Sequence, residues 1–419
     1  MSMKSYELKY GNSAIAFEIP DHADVYDVRE PKKTVTPSGF ARSLTRALET
    51  RKSNLSKVVI AVADKTRVCG YAQYLPVLLK TLMHFGANPE HIALHIAYGT
   101  HVRQSDAESL QIYGDSYRKY RFVHHDCTDE TRFVFRGITR RRTKLMILRD
   151  AEDADFLITF GAISHHYFAG YGGGRKLIFP GLGFQKSIWH NHSLFLDKEK
   201  RMLSPFCQPG IPDGNPLAED LAEFEESVPA DLSVHGILSS TGEVCKLLVG
   251  SGTAHFRRAC AEHAKNCEIS TDRHYDLVIA SCGGHPKDLN FIQSHKAVHN
   301  AAKFVRDGGE LIVLAQCSEG IGSKTFLPWF EMGGFDAAFD RLADHYEGNG
   351  GTALSTMEKT ARICISLVTE LPDTIAEIMG VRSISAEQAV KRVKEGSGSI
   401  AIIPNAGLAV KKWDKGQNG

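Results

Sequence analysis

The stretch "KVVIAVAD", residues 57–64, sets the fold class of this 419-residue chain. It is a short apolar run, rich in β-branched residues, and it ends on a carboxylate. Such runs are typical of strands that are buried on both faces of a parallel sheet. The following segment, 71–86, has apolar residues at helical spacing and a glycine at its end. The pair predicts a strand and a crossover helix that leads to a parallel neighbouring strand.

The same alternation continues along the chain and restarts near residue 275. Further strands are predicted at 91–101, 121–126, 154–163, 275–284, 310–322 and 399–407, and further helices at 291–309, 326–346, 355–363 and 386–395. A single core seldom exceeds ~250–300 residues, so we expect two domains. We predict two α/β domains, 1–270 and 271–419, each with a mostly parallel sheet flanked by helices. The active site is expected in the cleft between them.

The composition excludes several classes of partner. The formal charge is +1 without a long block of either sign, which argues against a nucleic-acid partner and a polybasic membrane contact. The apolar runs are shorter than the ~18–20 residues of a membrane span, and the first twenty residues lack a signal-peptide pattern. The nine cysteines contain no C-x-x-C pair, which favours reduced thiols. We predict a cytoplasmic protein without a membrane partner.

Two polar motifs follow predicted strands, where ligands bind in open parallel sheets. In "DKTR", residues 64–67, Asp64 and Thr66 accompany Arg67, whose planar fork of donors suits a phosphate or carboxylate. The alternative is that Asp64 caps a helix and Arg67 forms a surface ion pair. In "GTH", residues 99–101, His101 is a candidate acid/base, although a hydrogen-bonded loop histidine is the alternative.

The segment "HHYFAGYGGGRKLIFPGLG", residues 165–183, holds His166 and Lys176 around a run of glycines. A P-loop would place Ser or Thr after the lysine, but Leu177 stands there, and no G-x-G-x-x-G motif opens a helix. Glycines admit close backbone approach to a ligand, and a lysine in such a loop can be a nucleophile. The alternative is a flexible connector with a solvated Arg-Lys pair.

Two further motifs offer weaker signals. "WHNHS", 189–193, places histidines two apart, which would share a face on a strand or converge in a loop. No Cys or acidic cluster completes a tetrahedral zinc set around them. In "NFIQSHKAVHN", 290–300, helical spacing places Gln293, Lys296 and Asn300 on one face, which indicates either a pocket or a solvated surface.

Together these motifs resemble the nickel-pincer lactate racemase family. The resemblance covers "DKTR", "GTH", "HYFAGYGGGRKLIFPG", "NH" at 191–192, "GGHPKDLNFIQSHKA" from 283 and "CSEGIG" from 317. It implies a nickel-pincer nucleotide, a pyridinium-3,5-bisthiocarboxylic acid mononucleotide that carries nickel and is joined to Lys176 as a thioamide. It also implies that His192 is a nickel ligand.

The resemblance further implies a racemase or epimerase that inverts C2 of a 2-hydroxy acid by reversible hydride transfer. His101 and His166 would be the acid/base pair, and Arg67, Gln293 and Lys296 would bind the substrate. Asp64 and Thr66 would help to position the cofactor or the guanidinium. Enzymes that make the cofactor would be partners in maturation.

The chain departs from the lactate-specific members at two places. Residues 352–363 contain no tryptophan, and Ile292 stands where an aromatic residue is expected. The added histidines His165 and His295, with Lys287, would make the pocket roomier and more polar, which favours a larger or more polar 2-hydroxy acid than lactate. The alternatives are a non-catalytic carrier of the cofactor, a nicotinamide-dependent 2-hydroxy acid oxidoreductase, and a zinc hydrolase on the same frame.

Overall fold

The structure is a computed structural model that describes residues 3–50 and 54–413. Its contacts divide the chain into two compact units. Unit 1 comprises Met1–Arg29, Leu196–Pro205 and Cys267–Gly419, and unit 2 comprises Glu30–Phe195 and Phe206–Asn266. The division of the chain into domains 1–270 and 271–419 stays a prediction.

The strands, in chain order, are short and mostly buried. They are β1 Met3–Tyr10, β2 Ser13–Pro20, β3 Asp24–Val25, β4 Val58–Ala63, β5 Ile92–Ala97, β6 Arg121–His124, β7 Phe133–Ile138, β8 Lys144–Leu148, β9 Phe156–Ala162, β10 Ser164–His166, β11 Gly170–Gly172, β12 Leu196–Asp197, β13 Met202–Leu203, β14 Leu232–Leu238, β15 Val244–Gly250, β16 Glu268–Ile269, β17 Tyr275–Ser281, β18 Val305–Leu314, β19 Cys364–Val368, β20 Arg382–Ile384, β21 Ile400–Ile403 and β22 Val410–Lys411.

The α-helices lie between these strands. They are α1 Pro37–Glu49, α2 Tyr71–His84, α3 Asp106–Tyr113, α4 Ser116–Lys119, α5 Arg149–Glu152, α6 Gln185–Ser193, α7 Pro216–Ser227, α8 Gly252–Cys267, α9 Phe291–Ala301, α10 Phe335–Asp344, α11 Gly350–Arg362, α12 Asp373–Ile378 and α13 Ala386–Glu395. None of the described helices is long and apolar enough to cross a membrane.

Unit 2 is built on a six-stranded sheet in the order β15-β14-β9-β4-β5-β6. All neighbours are parallel except the β14–β15 pair. Every residue of β4 is buried, as its apolar run predicts. Because β9, β4 and β5 are adjacent and parallel, their carboxyl ends meet at one edge of the sheet.

Unit 1 contains a second six-stranded sheet in the order β20-β19-β18-β17-β21-β3, with every pair parallel. Its core joins apolar residues of the β1–β2 hairpin to those of the central strands and α13. The predicted fold class, α/β with mostly parallel sheets flanked by helices, is confirmed.

Several elements differ from their predicted bounds, and three of the differences change the interpretation. The helix predicted at 291–309 ends at Ala301, and β18 already begins at Val305. Gly308 therefore does not stop a helix, and its φ of +71° lies within a strand instead. Residues 189–193, expected in a strand or loop, belong to helix α6. The helix predicted at 326–346 is divided into a 3-10 turn, Leu327–Glu331, and α10, since two glycines with positive φ precede Phe335.

Candidate active site

Three adjacent strands of unit 2 each deliver one polar side chain to the same edge. Asp64 follows β4 directly, His101 lies four residues beyond the end of β5, and His166 ends β10 just after β9. The buried apolar strands fix where the backbone leaves the sheet, so these residues share a neighbourhood despite wide separation in sequence. β4 and β9 end within one residue of their predicted ends, whereas β5, predicted to run to residue 101, ends at Ala97, so His101 lies in the following loop.

Lys176 reaches this edge from a 3-10 turn, Gly174–Leu177, that follows the β10–β11 hairpin. Gly173 enters the turn with φ +81°, a conformation that L side chains rarely adopt. A Cβ atom at Gly173 would lie 2.1 Å from the Ala162 carbonyl oxygen. The glycine run thus has a defined purpose, because it lets the turn pack against the end of β9.

His192 lies in the last turn of α6, and His190, the other histidine of "WHNHS", points in another direction. Residues two apart on a helix point in different directions, so the two histidines of "WHNHS" do not converge. His190 is exposed and its Nε2 contacts the Arg141 carbonyl oxygen at 2.9 Å. His192 lines the cavity with Lys176.

A single cavity of unit 2, the site cavity, is lined by most of the predicted residues. Its lining includes Ala63, Asp64, Arg67, Ala97, Tyr98, Gly99, Thr100, His101, Gly161, Ala162, His166, Gly172, Gly173, Lys176, Leu177, Pro180, Gly181, Ile188 and His192. Thr66 does not line it but holds the Asp64 carboxylate instead. One carboxylate, one guanidinium, one lysine amine and three imidazoles therefore face the same cavity.

Asp64 orients His101 through a short hydrogen bond, 2.6 Å between Oδ2 and Nδ1. Its other oxygen accepts from the Thr66 backbone N–H at 2.8 Å and hydroxyl at 2.6 Å. Burial disfavours ionisation of Asp64, but the hydrogen bond and charge of His101, with Thr66 and Arg67, outweigh it and lower the carboxyl pKa. A carboxylate at Nδ1 leaves Nε2 of His101 as the basic ring nitrogen. Asp64 does not cap a helix, since the residue at the start of α2 is Gly70.

His166 has the opposite arrangement of ring protons. Its Nδ1 accepts backbone N–H groups from Phe168 at 3.3 Å and Ala169 at 3.1 Å. Because backbone N–H groups only donate, Nδ1 is unprotonated and the neutral ring carries its proton on Nε2. In the resting state His101 therefore offers a basic Nε2, whereas His166 offers an Nε2–H donor.

The charged forms of Lys176 and His192 are both disfavoured. Burial, with repulsion from Arg67 and Arg175, brings the pKa of Lys176 well below its usual value. Burial first, then the charge of Lys176, lowers the pKa of His192 to about 3. The Nδ1 atom of His192 lies 2.8 Å from the Ile188 carbonyl oxygen, so Nδ1 carries the proton and Nε2 the lone pair. A neutral amine beside a neutral imidazole is a donor set that suits covalent attachment and a borderline metal ion.

The remaining predicted substrate residues belong to unit 1. Gln293 and Lys296 lie on α9, where the Lys296 ammonium donates to the Gln293 amide oxygen at 3.3 Å. The structure therefore pairs these two side chains, as the helical spacing predicts. Asn300, expected on the same face, is buried and donates to the Ala406 carbonyl oxygen at 2.9 Å.

His165 faces away from His166, as alternation along a strand requires. It lies opposite Tyr171 in the β10–β11 pair, with ring centroids 5.0 Å apart, and 4.8 Å from the ring of His263. Sequence reasoning missed Tyr98, Pro180 and Gly181 in the cavity lining. The Gly181 carbonyl oxygen accepts from the N–H of Gly99 in the "GTH" motif at 2.8 Å, a contact that no sequence pattern indicates.

The fold and the cavity define an α/β enzyme with acid/base side chains gathered at the carboxyl edge of a parallel sheet. Comparison with known sequences refines this class. The profile of the lactate racemase N-terminal domain matches residues 10–203, and that of the lactate racemase C-terminal domain matches residues 270–410. The chain belongs to the lactate racemase family. The predicted resemblance and the prediction of an isomerase are confirmed.

Relatives support the same assignment. A lactate racemase from Thermoanaerobacterium thermosaccharolyticum is 28% identical over 346 residues, which cover 78% of each chain. A lactate racemase from Lactiplantibacillus plantarum is 27% identical over 270 residues, 64% of this chain and 62% of the relative. The solved lactate racemase apoprotein from T. thermosaccharolyticum superposes with a TM-score of 0.86 at 24% identity, covering 98% of this chain and all of the other. A Thermotoga maritima protein has a TM-score of 0.67 at 16% identity over 92% of this chain and all of its own.

Proposed function

We propose that this protein racemises or epimerises a 2-hydroxy acid at C2 by reversible hydride transfer, with a nickel-pincer nucleotide tethered to Lys176. The observation that carries the proposal is the convergence of Lys176, His192, His101 and His166 on one cavity. These residues come from four separate segments, yet each matches a role that the family resemblance implies.

The donor set fits the implied cofactor. A tether needs an unprotonated amine, and burial beside Arg67 and Arg175 favours that form of Lys176 by lowering its pKa. A nickel ligand needs an imidazole lone pair, and the Ile188 carbonyl fixes the His192 tautomer that carries it on Nε2. When bound, the nickel-pincer nucleotide supplies the hydride acceptor and donor that an unactivated C2–H requires.

The two histidines handle the hydroxyl proton. As the C2 hydride leaves, the hydroxyl must lose its proton so that a flat 2-oxo acid forms. The basic Nε2 of His101 accepts that proton, and Asp64 stabilises the imidazolium that results. His166 donates a hydrogen bond from Nε2–H to the oxygen of the 2-oxo acid, and the His101 imidazolium returns its proton to that oxygen when the hydride returns to the opposite face. For the other enantiomer His166 is the base, and its ring proton must first move to Nδ1, which breaks the hydrogen bonds from Phe168 and Ala169.

Cationic and amide side chains bind the substrate carboxylate in this proposal. Arg67 lines the site cavity and offers a planar pair of donors. Gln293 and Lys296 supply the remaining polar contacts from α9, where their own hydrogen bond holds them as a pair. Residues 352–363 contain no tryptophan and Ile292 stands where an aromatic residue is expected, which favours a 2-hydroxy acid larger than lactate.

The proposal is tested by producing the chain together with the enzymes that make the cofactor. Intact-mass and peptide mass spectrometry are expected to show an added mass on Lys176 with one nickel per adduct. Lys176→Arg keeps a long basic side chain but cannot form the thioamide, so it is expected to carry neither. A panel of 2-hydroxy acids, followed by chiral chromatography, then identifies the substrate. Adduct and nickel without turnover of any panel member would indicate a carrier instead.

A further inference from the structure

A buried polar network holds the residue next to His192. Asn191, which is fully buried in α6, donates from Nδ2 to the Asp220 carboxylate at 2.9 Å and to the Leu217 carbonyl oxygen at 3.3 Å. Asp220 lies in the middle of α7 and is also fully buried. A carboxylate in such a place is costly unless its oxygens accept several hydrogen bonds.

Two threonines complete the network from a third segment. Thr139 donates its hydroxyl to Asp220 Oδ1 at 2.5 Å, and Thr143 donates to Oδ2 at 2.8 Å. The Thr143 backbone N–H in turn binds the Thr139 hydroxyl at 3.0 Å. Within the described residues, Asp220 forms no ion pair with a lysine, arginine or histidine. The carboxylate is therefore stabilised by neutral donors alone, and each of them is fixed in direction.

The network acts on the rotation of α6. Ser187 and Asn191 are one turn apart: the Ser187 hydroxyl donates to the Lys144 carbonyl oxygen at 2.7 Å, and Asn191 binds Asp220 of α7. Ile188 and His192 are also one turn apart and line the site cavity. Adjacent helix positions differ by about 100°, so fixing one pair fixes the direction of the other.

We propose that Asn191 and Asp220 are positioning residues that aim the His192 imidazole into the site cavity. The inference rests on the proposed function only for the identity of what His192 binds. The hydrogen bonds themselves describe how the helix is held in the absence of any ligand. Loss of the Asn191 amide is expected to leave the helix intact but to let it rotate about its axis.

The test compares substitutions on either side of His192. Asn191→Ala removes the link to Asp220, whereas Ser193→Ala removes only the hydroxyl that binds the His190 carbonyl oxygen at 2.7 Å. In protein produced with the cofactor-making enzymes, nickel per Lys176 adduct is followed during dialysis against EDTA. Nickel loss is expected to be about tenfold faster in Asn191→Ala, as for supporting residues of metal ligands, and unchanged in Ser193→Ala.

A second variant distinguishes a loss of positioning from a loss of folding. Thr143→Val is nearly isosteric, removes the hydroxyl that donates to Asp220 Oδ2, and changes no residue that lines the site cavity. It is expected to shift nickel loss in the same direction as Asn191→Ala, but less. Nickel retention equal to wild type in both variants would overturn the inference, even if their melting temperatures fell.

A cofactor-free measurement separates this inference from the proposed function. In ¹⁵N-histidine-labelled protein without cofactor, NMR is expected to show His192 protonated on Nδ1 in the wild type and a mixture of tautomers in Asn191→Ala. If the wild type never acquires the Lys176 adduct, the proposed function fails and this measurement alone decides. An unchanged tautomer in Asn191→Ala would then contradict the positioning role.

Discussion

At the scale of single residues, the site depends on hydrogen bonds that assign the protons of its histidines. The Asp64 carboxylate accepts from Nδ1–H of His101, backbone N–H groups keep Nδ1 of His166 unprotonated, and the Ile188 carbonyl oxygen accepts from Nδ1–H of His192. His101 and His192 therefore present an unprotonated Nε2, whereas His166 presents an Nε2–H donor, although the three side chains are identical. Local backbone and one carboxylate produce this difference, which no composition measure could reveal.

Asp64→Asn tests the orientation of His101. An amide that points its NH₂ at Nδ1 favours the wrong tautomer, so turnover is expected to fall about 100-fold, within the range of general acid–base catalysis. The Lys176 adduct and its nickel content are expected to remain. The kinetic constants and the adduct mass are measured on the same preparation.

Asp126→Asn is the matched control for that substitution. Asp126 accepts from the Thr128 backbone N–H at 2.9 Å and hydroxyl at 2.7 Å, the same pattern that Thr66 makes with Asp64. It is not among the residues that line the site cavity. Equal losses of activity in the two variants would show that the turn geometry matters rather than the bond to His101.

At the scale of elements, the glycine-rich turn is the part of the site that a side chain would disrupt most directly. Gly173→Ala combines a positive φ with a contact of 2.1 Å to backbone, so it is expected to destabilise the fold by well over ~1 kcal/mol and to prevent adduct formation at Lys176. Gly242→Ala has a similar φ, +85°, with nothing within 4 Å, and measures the cost of strain alone. Thermal unfolding and adduct yield of the pair are compared, and equal effects would refute the packing argument.

The sequence predicts the buried strands of unit 2, but it does not predict the helix that carries His192. Buried runs such as β4 have one structural solution, and the rule for parallel sheets then places Asp64 and His101 together. Residues 189–193 are polar and carry no apolar periodicity, so α6 is specified by its contacts instead. Asp220 binds Asn191 of α6, 29 residues away along the chain, and Thr139, 81 residues away. Local sequence patterns carry no information over such separations.

At the scale of the whole molecule, buried histidines make the fold sensitive to acid. Burial lowers the pKa of His95 and His125 to about 4, and that of His235 and His263 to about 3. The unfolded chain binds protons at these residues near pH 6.5, whereas the folded chain does not. Their contribution to stability is therefore fully present above about pH 6.5 and is lost as the pH falls toward these values.

The melting temperature is accordingly expected to fall between pH 7.5 and pH 5. His235→Gln is expected to make that fall less steep, and His190→Gln, at the surface, serves as the control. Differential scanning calorimetry across this range measures both. A melting temperature that is constant from pH 7.5 to pH 5 would contradict the assignment of neutral buried histidines.

Inversion of C2 by hydride transfer can be distinguished from proton abstraction by following the C2 hydrogen. Protein with the Lys176 adduct is incubated in D₂O with one enantiomer of the 2-hydroxy acid that turns over, and the racemised product is examined by NMR and mass spectrometry. A hydride returns to the carbon without exchange, so the product is expected to retain its C2 hydrogen and gain no deuterium there. Incorporation of deuterium at C2 in step with racemisation would show proton abstraction and contradict the account.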